Sequence, residues 1–148
     1  EKGNSVKQKE QVIKIRYGKN AFPPERHGAW IDLALPEAIH MERGEFRVLP
    51  FNISMKMPDG YEGHIVPRSS TCKNWGLLMA NSMGIIENEY CGDDDVWGFP
   101  AYATRTVTIP EGTRIAQFRI ERIMGPIKFE AVPTLGHENR GGYGSTGK

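Results

Sequence analysis

The sequence predicts an all-β protein: a jelly-roll-like β-sandwich with one short helix and a flexible C-terminal arm. Three observations lead to this prediction. Short segments in which apolar and polar residues alternate recur along the chain, as expected for strands with one buried face. Gly, Pro and Asp residues that favour turns separate these segments. Only one stretch has helical character, and the end of the chain is too rich in glycine to build a core.

The strand pattern occurs in seven segments, and turn residues cluster between them. The predicted strands are residues 12–17, 30–35, 45–49, 61–66, 106–109, 114–120 and 127–132. The predicted turns are residues 42–44, 57–60, 110–112 and 125–126. Many short strands joined by small turns are typical of a sandwich or jelly roll.

One helix is predicted within residues 70–81. Ser69 or Ser70 is placed to cap its start, and Gly76 lies near its end.

The chain of 148 residues has the length of one domain. We expect residues 1–10, which are charged and polar, to be disordered. Residues 11–135 are expected to form the β domain, and residues 136–148 a glycine-rich arm.

Charge and cysteine content exclude several classes of function. Nineteen Lys and Arg against eighteen Asp and Glu give a net charge of +1, so we expect neither nucleic acid nor a membrane as a partner. Cys72 and Cys91 form no C-x-x-C pair, which argues against a zinc site and a disulfide framework. No apolar stretch is long enough to span a membrane. We expect a cytoplasmic protein.

The arm has the composition of an anion-binding segment. Its glycines let backbone N–H groups approach an anion closely, and Arg140 offers a planar fork of donors. Residues 142–148 also fit part of a phosphate-binding P-loop. The Ser or Thr and the helix that a P-loop requires do not follow them in this sequence.

Three further segments carry candidate chemistry. Arg68 stands with two serines at a strand end, where it can hold an anion or simply form a solvated capping turn. Glu87 follows two isoleucines in a glycine-bracketed segment, residues 84–92, that suits a tight β-hairpin; a solvated acidic loop is the alternative. Strict alternation places Arg114 and Gln117 on opposite faces of one strand, with an inward Gln117 that needs hydrogen-bond partners.

Together these segments resemble the five motifs of the trimeric dUTPase family, in the family's order. The matching segments are residues 29–33, 67–70, 84–92, 114–117 and 140–147. The longer, acidic continuation at residues 93–100 is similar to that of the Gram-positive bacterial and phage branch.

The resemblance implies hydrolysis of dUTP to dUMP and pyrophosphate, which limits uracil incorporation into DNA and supplies dUMP for dTMP synthesis. It implies Mg²⁺ held by the triphosphate and water, and a homotrimer whose sites each draw on three chains. Glu87 corresponds to the general base, and Asp32 orients magnesium-bound water. The residues implied to hold the phosphates are Arg68, Ser69, Ser70, Gln117 and Arg140; those implied to contact uracil or deoxyribose are Asn81, Gly84, Ile86, Tyr90 and Tyr143; and those implied to close over the nucleotide are Gly144, Ser145 and Thr146.

Two departures from the family pattern keep other functions open. The base position holds Glu87 where aspartate is usual, and Cys91 replaces an arginine. One alternative is a dCTP deaminase-like relative, which would share the phosphate-binding segment. Another is a dUTP-binding regulator with weak catalysis.

Overall fold

A computed structural model describes residues 8–144, which contain twelve strands and one helix. In chain order the elements are β1 (Lys14–Tyr17), β2 (Glu25–His27), β3 (Trp30–Ala34), β4 (Ile39–Met41), β5 (Phe46–Pro50), β6 (Ile53–Lys56), β7 (Tyr61–Pro67), α1 (Thr71–Trp75), β8 (Leu77–Met79), β9 (Gly84–Ile86), β10 (Gly98–Ala103), β11 (Val107–Ile109) and β12 (Arg114–Arg122).

The strands form antiparallel sheets. The largest has the order β2-β3-β12-β7-β9, and a second has the order β5-β10-β8. Two ribbons, β1-β6 and β11-β4, complete the architecture. The predicted all-β jelly roll with one short helix is confirmed.

The core is filled by aliphatic and aromatic side chains from all of these sheets. Trp97 and Phe118 meet edge to face at 5.0 Å between ring centroids. Trp97 and Phe99 are both completely buried, so they belong to the core and neither is available as a lid. Burying such rings is worth a few kcal/mol each, about 25 cal/mol per Å² of apolar surface, which fixes the segment before β10 in place.

Six of the seven predicted strands are confirmed as β1, β3, β5, β7, β11 and β12. Residues 127–132 form no strand within the described part of the chain, so that prediction is wrong. Six strands were not predicted, and four of these, β2, β4, β8 and β9, have only three residues each. Three residues give little alternation to recognise, although β11, which is equally short, lies within a predicted segment of four residues.

Three predicted turns are confirmed by their backbone conformation. Gly44, Gly60 and Gly112 have φ angles of 86°, 85° and 80°, which glycine adopts most easily. The predicted turn at residues 125–126 does not form.

The helix is shorter than the segment in which it was predicted. Gly76 ends it in a left-handed conformation with φ of 68°, as expected for a C-cap. Ser70 occupies the N-cap position, but its side chain makes no capping hydrogen bond. Thr71, the first helical residue, instead ties the start of the helix to its surroundings, since its Oγ1 accepts the Arg68 N–H at 3.1 Å and donates to Ile115 O at 2.7 Å.

The strict alternation predicted for residues 114–117 is wrong, because β12 contains a bulge there. The pairing with β3 shifts between Arg114 and Ala116, so Ile115 is an extra residue. Ile115 and Ala116 are both buried as a result. Arg114 is thereby brought near Asp32, the residue that lies opposite Gln117.

The two ends of the described chain lie outside the sheets. Residues 8–13 and 123–144 have no regular secondary structure. The disorder predicted for residues 1–10 falls mainly on residues outside the described range and stays a prediction. Within residues 8–144, no helix has the length and apolar character that crossing a membrane requires.

Candidate active site

Asp32 is a buried carboxylate at the centre of a group of partly exposed charged side chains. Its side chain is only 4% exposed, and its Oδ2 lies 3.3 Å from Arg68 Nε and 3.8 Å from Arg114 Nε. The strand order β3-β12-β7 explains this meeting, because Asp32 lies on β3, Arg114 begins β12 and Arg68 follows β7. We call these three residues the arginine–aspartate cluster. Two cations compensate the desolvated carboxylate, and Oδ2 has no hydrogen bond within the described residues.

Two residues of β2 contact Arg114 of the arginine–aspartate cluster. Glu25 Oε1 lies 2.8 Å from Arg114 Nη1, and His27 Nε2 lies 2.9 Å from the same nitrogen. The pairing of β2 with β3 places Glu25 opposite Asp32. Sequence reasoning missed both residues, because β2 is too short to give a pattern.

Gln117 and two serines complete this side of the site. Gln117 lies opposite Asp32 on β3 and Val66 on β7. Its amide Nε2 donates to Pro67 O at 3.1 Å, which satisfies the expectation that it needs a partner. Ser69 and Ser70 follow Arg68, the first exposed and the second half-buried. Arg68, Ser69, Ser70, Gln117 and Asp32 are therefore gathered at the end of β7.

A separate cavity of about 540 Å³ lies beside β9. We call it the β9 pocket; it is lined by Val48 and by residues 85–87, 89–90 and 95–98. Its volume is within the range typical of small-molecule sites. Three carboxylates, those of Glu87, Glu89 and Asp95, line it. No group of acidic, His or Cys side chains within residues 8–144 is arranged to enclose a metal ion.

Glu87 and Tyr90 belong to a single turn on the wall of the β9 pocket. The Tyr90 N–H donates to Glu87 O at 3.0 Å, and the Tyr90 hydroxyl donates to Val96 O at 3.0 Å. The Glu87 carboxylate is exposed and makes no hydrogen bond or ion pair with any residue from 8 to 144. It is thus available to a ligand in the β9 pocket.

The tight hairpin predicted for residues 84–92 does not form. Strand β9 pairs with β7, Ile86 lying opposite Gly63 and Gly84 opposite Ile65, while residues 87–92 make turns. The pairing of β9 with β7 requires glycine at position 84. A Cβ added there would collide with the Ile65 side chain. Strand β9 is the edge of its sheet, so one side of its backbone faces no strand. Asn81 is exposed in the turn that enters β9.

The register of β7 separates the two parts of the predicted site. Glu87 follows Ile86, which lies opposite Gly63 near the start of β7, whereas Arg68 follows the end of β7. The six residue steps from Glu62 to Arg68 correspond to about 20 Å along a strand. One chain therefore does not bring Glu87 and Arg68 together.

The described arm residues Arg140, Tyr143 and Gly144 do not line the β9 pocket. Arg140 and Gly144 are exposed, and the Tyr143 side chain is fully exposed. The chain thus does not bring these three residues onto its own β9 pocket. The predicted contacts of Ser145 and Thr146 lie outside the described residues.

Comparison with known proteins places the chain in a family. Residues 19–147 match the sequence model of the dUTPase family. The chain belongs to the dUTPase family. It is 46% identical over 138 residues to the SPbeta prophage-derived deoxyuridine 5'-triphosphate nucleotidohydrolase YosS of Bacillus subtilis, covering 91% of this chain and 97% of that protein. It is 33% identical over 149 residues to the corresponding nucleotidohydrolase of Anaeromyxobacter, covering 93% and 98%.

Solved structures support the same fold for this dUTPase family member. A variant of the Staphylococcus bacteriophage 80alpha dUTPase with dUpNHpp superposes with a TM-score of 0.75 at 23% identity, covering 93% of this chain and 99% of that one. The dUTPase of Streptococcus mutans gives 0.68 at 21% identity, covering 78% and 98%. The predicted dUTPase family is confirmed. The chain is a hydrolase of dUTP, and the deaminase and regulator alternatives are not favoured.

Proposed function

We propose that this enzyme hydrolyses dUTP by in-line attack of water on the α-phosphorus, with Glu87 as the general base. The observation that carries this proposal is an exposed carboxylate on the wall of the β9 pocket that has no ion pair or hydrogen bond among residues 8–144. Glu87 takes a proton from water as the oxygen bonds to the α-phosphorus. The bond to the bridging oxygen breaks, and pyrophosphate leaves with its electron pair.

The β9 edge and Tyr90 recognise the nucleoside. The free side of the β9 backbone at Gly84 and Ile86, together with Asn81, offers donors and acceptors to the uracil edge, much as a neighbouring strand would. The Tyr90 ring packs against deoxyribose. Its bond to Val96 O supports this role, because it fixes the ring beside Glu87.

The triphosphate is held by Arg68, Ser69, Ser70 and Gln117. The buried Asp32 carboxylate forms an ion pair with Arg68, which favours one orientation of the guanidinium. A fixed cation stabilises developing charge better than a mobile one, because no reorganisation is needed as the charge forms.

Magnesium fits this donor set when carried by the nucleotide. Mg²⁺ keeps several waters and binds mainly through substrate phosphates in such sites. When bound, it neutralises phosphate charge and helps to orient the chain of phosphates. Asp32, which lines a small cavity with Arg114 and Phe22, would accept hydrogen bonds from water on the metal.

The active enzyme is a homotrimer in which different copies supply Glu87 and Arg68. The separation of about 20 Å along β7 supports sharing, since one copy does not unite base and cations. Electrostatics also supports a site shared between copies. The carboxylates that line the β9 pocket repel a triphosphate, and arginines from another copy would offset this repulsion.

Exposed apolar surface also supports assembly. Phe46, Tyr102 and Leu78 lie opposite one another across β5, β10 and β8, and they are 58%, 42% and 45% exposed. Beyond β12, Phe129 and Leu135 are 93% and 85% exposed. A second copy of the chain offers cover for both surfaces.

The arm, residues 136–148, closes the site of another copy. Arg140 grips the terminal phosphate, Tyr143 covers the uracil, and residues 144–146 close over the nucleotide. The exposure of Tyr143 supports this role, since its ring is not packed against residues 8–144 and is available to another copy. A cytoplasmic location stays a prediction.

Pyrophosphate release from dUTP with magnesium tests the base. Glu87→Gln keeps the shape of the side chain and is expected to lower kcat by about 10³-fold, within the usual contribution of a general base. Glu87→Asp shortens the base by one methylene and is expected to lower kcat by about 10- to 100-fold. A Glu87→Gln enzyme with the wild-type rate would refute the assignment of the base.

A further inference from the structure

The residue after the proposed base is tied to a distant part of the chain. The Asn88 amide nitrogen Nδ2 donates two hydrogen bonds, 2.9 Å to Pro58 O and 2.8 Å to Tyr61 O. Both partners accept only, so they fix the amide with its NH₂ group toward them. Asn88 is half-buried and does not line the β9 pocket.

The acceptors of these two bonds are themselves held rigidly. The Tyr61 N–H donates to Pro58 O at 3.2 Å, which closes a turn through Gly60. Gly60 O accepts the Ile123 N–H at 2.8 Å, so the turn is also fastened to the end of β12. Asn88 is therefore anchored to the sheet in which β9 lies.

The hydrogen bonds of Asn88 add to backbone contacts that hold Glu87 on both sides. Before Glu87, Ile86 pairs with Gly63 of β7. Glu87 O accepts the Tyr90 N–H, and Asn88 holds the next residue. The Glu87 side chain has no partner of its own among residues 8–144, so its position depends on the backbone.

We propose that Asn88 is a positioning residue that sets the place of the Glu87 carboxylate through its two bonds to the turn at residues 58–61. This inference rests on the function proposed for Glu87. A glutamate is longer and more mobile than an aspartate, so its carboxylate is placed well only from a fixed backbone. A displacement of about 1 Å is enough to cost about 100-fold in rate.

Asn88→Ala removes both bonds and is expected to lower kcat about 10- to 100-fold. Affinity for a non-hydrolysable analogue, dUpNHpp, is expected to stay within about twofold, because Asn88 does not line the β9 pocket. Asn88→Gln, which keeps the amide but displaces it by one methylene, is expected to lower kcat in the same way. Asn88→Gln is the variant to measure if Asn88→Ala folds poorly.

Asn52 provides a matched control. Its Nδ2 also donates to a backbone carbonyl, Lys19 O at 2.8 Å, and Asn52, like Asn88, does not line the β9 pocket. Its φ of 59° makes alanine strained there, so Asn52→Ala is expected to lose at least as much stability as Asn88→Ala. An unchanged kcat in Asn52→Ala shows that loss of stability alone does not slow the reaction.

A double-mutant cycle gives the decisive readout. In a Glu87→Gln background, Asn88→Ala is expected to change kcat by less than about twofold, because no base remains to be positioned. The same loss in both backgrounds, or a wild-type kcat in Asn88→Ala and Asn88→Gln, would overturn the inference while leaving Glu87 as the base. A wild-type rate in Glu87→Gln would overturn both proposals.

Discussion

The arginine–aspartate cluster and the β9 pocket hold their charged groups in opposite ways. In the cluster, the Asp32 carboxylate is 4% exposed and flanked by two guanidinium groups. In the β9 pocket, the Glu87 carboxylate is exposed and has no partner within the described chain. The cluster combines two arginines with one buried carboxylate, whereas the residues that line the pocket include three carboxylates and no Lys or Arg. The arginines that the pocket lacks are present in the cluster, as expected if copies of the chain meet to form each site.

The comparison predicts that the cluster contributes strongly to stability. Arg68→Met leaves the buried Asp32 carboxylate with the more distant Arg114 Nε at 3.8 Å and His27 Nε2 at 4.0 Å, and we expect the free energy of unfolding to fall by about 3 kcal/mol. Asp32→Asn together with Arg68→Met removes both charges and is expected to cost less than the sum of the single changes. Urea denaturation of the three variants measures this. Additive losses would show that the pair is not coupled.

In the β9 pocket, by contrast, stability depends on packing and backbone pairing. Gly84→Ala places a methyl group against the Ile65 side chain, so we expect a loss of about 1–3 kcal/mol. Gly125→Ala, where a new Cβ has nothing within 4 Å, is the control and is expected to change stability by less than about 0.5 kcal/mol. Equal effects in thermal or urea unfolding would contradict the packing argument.

The smallest effect is expected at the outer edge of the cluster. Glu25 and Arg114 are 58% and 37% exposed, so solvent weakens their 2.8 Å ion pair. Glu25→Gln is expected to lower stability by less than about 1 kcal/mol, and the difference should shrink as salt concentration rises. Unfolding at low and high ionic strength measures this. A salt-independent loss of several kcal/mol would mean that Glu25 behaves like the buried Asp32.

How much of each region could be predicted from sequence depends on whether its contacts are local. The turns at Gly44, Gly60 and Gly112 were predictable, because the positive φ requirement lies in the residue itself. The pairing of β9 with β7 and the bonds from Asn88 to residues 58–61 were not, because they join segments far apart in the chain.

Two further errors have the same physical origin. The bulge at Ile115 cannot be recognised from alternation, yet it brings Arg114 near Asp32. Residues 127–132 alternate like a strand but find no partner strand within the described chain. Phe129 in this segment is 93% exposed, so its apolar face has no cover there. A sequence pattern shows that a face is apolar, but not which chain will cover it.

Complementation between inactive variants tests most directly whether Glu87 and Arg68 act from different copies. Glu87→Gln chains and Asp32→Asn/Arg68→Met chains are each expected to form trimers with little activity. Refolded together in equal amounts, they are expected to recover about a quarter of the wild-type rate, since random mixing unites an intact Glu87 with an intact Arg68 in about one site of four. Mixed trimers that stay as inactive as their parents would contradict the account.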